Sequence, residues 1–94
     1  MISTLTKLNE IVNKNGFEYF NGNTKELDIY LEKFKGLNSE NSPSFCKAFY
    51  GVLLEIKEIL EQEHDRGDAY TNIKNLELRF YERKTNMLLY LDSI

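Results

Sequence analysis

The sequence predicts an all-α fold, a small bundle of about four helices. Apolar residues recur at three- and four-residue steps through much of the chain, the period of a helix with one buried face. Gly, Asn and Ser-Pro signals interrupt these stretches where helices should start or stop. Hydrophobic residues make up 41% of the 94 residues and aromatics 13%, enough to fold without disulfides.

The first helix is expected from about Ser3 to Asn15. Leu5, Leu8, Ile11 and Val12 share one face, Ser3 reads as its cap and Gly16 as its stop. A helix this short needs tertiary packing to hold it. Phe17-Glu18-Tyr19-Phe20 follows, ending in the turn signal Asn21-Gly22. Three aromatics in four residues imply a connection packed down on the core, and a short strand is an option there.

The second helix is expected from about Thr24 to Lys35, with Leu27, Tyr30, Leu31 and Phe34 as its stripe. Asn23 and Glu26 resemble a capping box. Gly36-Leu37 reads as a left-handed stop, with Leu37 folding back. Residues 38–44 are polar, hold the only proline and form the clearest loop.

The third helix is expected from about Pro43 to Arg66, capped by Ser42. Phe45, Phe49, Val52, Leu53, Ile56, Ile59 and Leu60 make one continuous stripe. It fades after Leu60, so the last turn should project past the core as far as Gly67. Tyr50 and Leu54 fall outside the stripe.

Asp68 to Ile94 reads in two ways. As a helix it aligns Ala69, Ile73, Leu76, Phe80, Met87, Leu91 and Ile94, although Glu77 and Lys84 intrude on that face. As a hairpin, Leu76, Leu78 and Phe80 alternate with charged residues, and Met87 to Leu91 is the return strand. The helix is the leading expectation. The hairpin over residues 76–91 is the alternative and would make the chain α+β. Either way residues 1–94 are read as one domain, with a thin core burying roughly 60–65% of the unfolded surface.

Net charge is −3, which argues against non-specific nucleic-acid binding. The single cysteine, Cys46, permits no internal disulfide and reads as a small buried hydrophobe. The first residues lack the apolar run of a secretory leader. The longest apolar run, Met87 to Leu91, is five residues against the about 20 needed to span a bilayer. The expectation is a cytoplasmic chain with no membrane role.

Glu61-Gln62-Glu63-His64 matches the Glu-x-x-His spacing of di-iron bundles, but such a site needs two motifs and the chain has one His. Lys74, Arg79, Arg83 and Lys84 flank Phe80 and Tyr81, a pattern that can bind single strands, here diluted by Glu77 and Glu82. Phosphate loops, dinucleotide turns and cysteine pairs are absent from the sequence. No catalytic, cofactor or metal site is read, and the chain is expected not to be an enzyme.

Residues 55–68 carry six acids against Lys57 and Arg66. Such a run is ordinarily a solvated face; its functional reading is an electrostatic docking surface. The expected function is a protein-binding module, of the inhibitor, immunity or antitoxin kind by size and charge, docking on a basic protein. Glu58, Glu61 and Asp65 would steer, and Tyr50 and Leu54 would anchor. A homo-oligomer joined through Tyr50, Leu54, Leu78 and Leu89 is the second reading. A nucleic-acid-binding regulator using residues 74–84 is the third.

Overall fold

In a computed structural model, the backbone is described for residues 2–62 and 66–93, and the side chains for 2–62 and 71–92. Among the described residues four α-helices occur in order: α1 (Ile2–Asn15), α2 (Thr24–Phe34), α3 (Ser44–Glu61) and α4 (Arg66–Ser93). Single 3₁₀ turns, Phe17–Phe20 and Lys35–Asn38, follow α1 and α2. No strand occurs among the described residues, so residues 76–91 are helical and the hairpin is not formed.

α4 is the axis of the bundle. Its 28 residues extend about 42 Å at 1.5 Å each, matching the molecule's long dimension of 41 Å. It runs antiparallel to α1: Asn9 Oδ1 accepts from Lys84 Nζ at 2.7 Å, the Val12 carbonyl accepts from the Tyr81 hydroxyl at 3.3 Å, and Glu77 lies under Phe17. Each step up the N-terminal segment is matched by a step down α4. It is antiparallel to α3 as well, with Phe45 edge-on to Tyr90 and Phe49 against Phe80. α2 then packs on the outer flank of α3, where Lys57 pairs with Asp28.

The core follows the expected stripes. Leu5, Leu8 and Val12 are buried on α1, Leu27, Leu31 and Phe34 on α2, and Phe49, Val52, Leu53 and Ile56 on α3. Ile73, Leu76, Phe80, Met87 and Leu91 are buried on α4. Its centre is aromatic: Phe80 stands edge-on to Phe17 with centroids 5.1 Å apart and lies tilted on Phe49 at 5.6 Å.

The helix ends depart from the sequence expectation. Ser3 lies inside α1, which starts at Ile2. The segment after Gly16 is a 3₁₀ turn and not a strand. Asn23 precedes α2, but its amide binds the Glu26 carboxylate, leaving the helix N–H groups without a side-chain cap. α2 does not end at a left-handed Gly36; it tightens into the 3₁₀ turn, which buries Leu37 just as well. Pro43 takes the cap position of α3, and Ser42 Oγ reaches back to the Gly36 carbonyl at 3.1 Å. α3 stops at Glu61, because Gln62 turns extended at ψ 135°. Gly67, expected as a stop, lies in the first turn of α4.

Among the described residues Glu77 is the one buried charged or polar residue, 6% exposed. Its Oε1 accepts the Phe17 N–H at 2.7 Å, and Lys74 lies 3.4 Å from Oε2 while also approaching Glu18. A carboxylate that looked like an interruption of the apolar face therefore satisfies the first N–H of the 3₁₀ turn, a group that helix starts leave without a partner. The chain reaches it because Gly16 adopts φ +70° and lies close to the carboxylate.

That approach has a measurable consequence. A Cβ at Gly16 would sit 2.8 Å from Glu77 Oε1, whereas one at Gly22, also at positive φ, meets nothing within 4 Å. Gly16→Ala is expected to cost about 2–3 kcal/mol and Gly22→Ala about 1 kcal/mol in denaturant unfolding. Equal losses would mean that Glu77 yields without cost.

Candidate functional site

The C-terminal half of α3 positions Leu54, Glu58 and Glu61 of the expected docking residues, with Tyr50 one turn before Leu54. Helical geometry turns each residue about 100° from the last. Glu55, Glu58 and Glu61 therefore step across the face opposite Phe49, Leu53 and Ile56, and all three are exposed. Lys57 is the cation among them. It is held by Asp28 from α2 and lies 3.6 Å from Glu61. The hydrogen bond to Asp28 raises the Lys57 ammonium above its ordinary value, with Coulomb attraction to Asp28 and Glu61 adding to the effect. Lys57 is thus engaged on the α2 side. Glu58 makes no ion pair among the described residues.

Tyr50 and Leu54 lie at the rim of this face. Both are half-buried and packed against the core. Their flank is the one that carries Lys57 toward α2, on the far side of α3 from the Phe45–Tyr90 contact with α4. Part of each side chain is spent on the fold, and part remains at the surface. Asp65 lies outside the described residues, as do Glu63 and His64 of the Glu-x-x-His motif. The expected projecting last turn is not formed by α3, which ends at Glu61.

Leu78 and Leu89 stand elsewhere, on the outer face of α4, 62% and 67% exposed. Eleven residues separate them, three turns of helix, so they share one direction. Tyr50 and Leu54 do not join them in a single surface. Leu89 also borders a shallow apolar recess with Ile2, Leu88 and Thr85, and Asp92 at its edge. The sequence marked Leu78 and Leu89 as off-stripe but carried no sign of the recess, which depends on where α1 begins.

The basic stretch of α4 does not present one face. Lys74 lies between Glu18 and Glu77, and Lys84 binds Asn9 while its ammonium stands 4.9 Å above the Tyr81 ring. Phe80 is in the core. Arg79 is exposed, and Arg83 Nε is buried without a hydrogen-bond partner among the described residues. Burial raises the Cys46 thiol, as suits the small core hydrophobe expected there. Among the described residues no group of His, Cys, Asp and Glu could hold a metal ion, and no helix is long and apolar enough to cross a membrane.

Comparison with known families, curated proteins and solved structures finds no match to this chain.

Proposed function

We propose that this chain is a protein-binding module that docks on a basic protein surface through the outward face of α3. The observation that carries the reading is the row Glu55, Glu58 and Glu61, three exposed carboxylates of which only Glu61 meets a lysine among the described residues, and that lysine is already engaged by α2. Such a face repels anionic partners and accelerates encounter with cationic ones. Tyr50 and Leu54 supply the apolar rim that desolvates on contact. Charge and size favour an inhibitor, immunity or antitoxin-like role acting by occlusion in the cytoplasm, with no chemistry of its own.

The test is paired affinity capture from the producing cell, using the wild-type chain and a Glu58→Lys/Glu61→Lys variant of equal thermal stability. A basic protein held by the wild type and lost by the variant supports the reading. An identical set of captured proteins overturns it.

A second reading rests on a separate observation, the two aligned, exposed leucines of α4. Apolar side chains this exposed gain by burial in a second copy. Light scattering at tens of micromolar protein decides it: a dimer that Leu78→Asp dissociates supports self-association, and a monomer removes it.

A further inference from the structure

We propose that Asn21-Gly22 is a site of spontaneous deamidation, while the fold protects the chain's other Asn-Gly pair, Asn15-Gly16. The reaction begins when the backbone nitrogen of the glycine, having given up its proton to solvent base, attacks Cγ of the preceding asparagine. The new N–Cγ bond closes a five-membered succinimide, the Cγ–Nδ2 bond breaks and ammonia leaves. Water then opens either carbonyl of the ring, giving aspartate or isoaspartate. The sum consumes one water and releases one ammonia, with no change of oxidation state. Glycine as the nucleophile has no side chain to obstruct the approach.

The two pairs differ in whether that nitrogen is available. Residues Phe20 to Asn23 form a turn closed by the Asn23 N–H to the Phe20 carbonyl at 2.9 Å. Asn21 at φ −65°, ψ 122° and Gly22 at φ 78° make it a type II turn. In this geometry the central peptide unit projects outward, and the Gly22 N–H has no hydrogen-bond partner among the described residues. Asn21 is exposed and its side-chain amide is likewise without a bond to the described residues. Attack requires ψ of Asn21 to rotate. A type II turn allows this by flipping its central unit toward type I, a change glycine accommodates on either side of φ zero.

Asn15-Gly16 lacks that freedom. Asn15 is the last residue of α1, and the Gly16 N–H donates to the Val12 carbonyl at 2.8 Å. Gly16 itself is seated beside the Glu77 carboxylate. Attack there needs the helix end to open and Gly16 to leave its seat.

The two products have different consequences. Aspartate at position 21 adds a charge near Glu18 but keeps the turn. Isoaspartate inserts a methylene into the main chain between Phe20 and Asn23, which breaks the closing bond and loosens the start of α2, where Tyr19 and Asn23 both meet Glu26.

The test ages the folded full chain in warm, mildly alkaline buffer beside an identical sample in denaturant. Mass spectrometry with backbone fragmentation assigns each conversion to residue 15 or 21. The expected result in the folded sample is conversion at Asn21 at least about tenfold faster than at Asn15, since the Asn15 route must first break a backbone bond and fray the helix. In denaturant the two rates should converge, and Asn21→Gln should remove the fast conversion. The proposal is overturned by equal rates in the folded sample, or by an Asn21 that stays intact in the fold while the denatured sample converts.

Discussion

Phe80→Ala is expected to cost about 3–5 kcal/mol, the usual range for emptying a buried phenylalanine site. The loss is large relative to the whole. At 0.05–0.15 kcal/mol per residue, a domain of 94 residues has a total stability of roughly 5–14 kcal/mol. Phe80 is fully buried and meets Phe17 and Phe49 on two sides. Truncation therefore unseats the first 3₁₀ turn and α3 together, and the neighbours cannot close the gap without moving both. The melting temperature should fall by roughly 15 °C or more. Leu78→Ala, on the same helix but exposed, should change stability by under about 0.5 kcal/mol. If the alanine variant does not fold, Phe80→Leu should still lose about 1–2 kcal/mol by shape mismatch. Equal effects at positions 78 and 80 would contradict the placement of α4.

Glu77→Leu is expected to cost about 2–3 kcal/mol, although it replaces a charged residue in the core with an apolar one. The Phe17 N–H would be left buried with no acceptor, and an unmade buried hydrogen bond costs more than a made one contributes. Lys74 would also lose an acidic neighbour. Glu77→Gln keeps an acceptor oxygen at the same reach and should lose about 1 kcal/mol or less. Chemical denaturation of the pair separates the two effects. If Leu proves equal to or better than Gln, the carboxylate is not holding the turn.

Glu77 also marks where the sequence stops being legible. The stripes of α1, α2 and α3 could be read directly because burial on a helix repeats with the helix's own period, a local property. The partner of Glu77 lies 60 residues away, and no local pattern records it. Lys84 misled in the same way, since the Asn9 amide and the Tyr81 ring that receive it are set by the packing of α1 on α4. The helix ends are the least legible part of the sequence. Ser42 is a good cap by type, but the chain needed its hydroxyl to close the loop back to Gly36. For the outward face of α3, the azimuths of Glu58 and Glu61 follow from spacing alone. That α2 would lie along the flank of Tyr50 and Leu54 and occupy Lys57 does not, because spacing says which way a residue points and not what it meets.

The proposed docking rests on the charge of α3's outward face, and the most direct measurement is the association rate of a basic protein captured by the wild-type chain against ionic strength. The wild-type chain should associate fastest at low salt and slow steeply as salt screens the carboxylates. Glu58→Lys/Glu61→Lys should be slower at low salt by about tenfold or more, with the two chains converging at high salt. Rates that coincide at low salt would contradict a docking surface built on Glu55, Glu58 and Glu61.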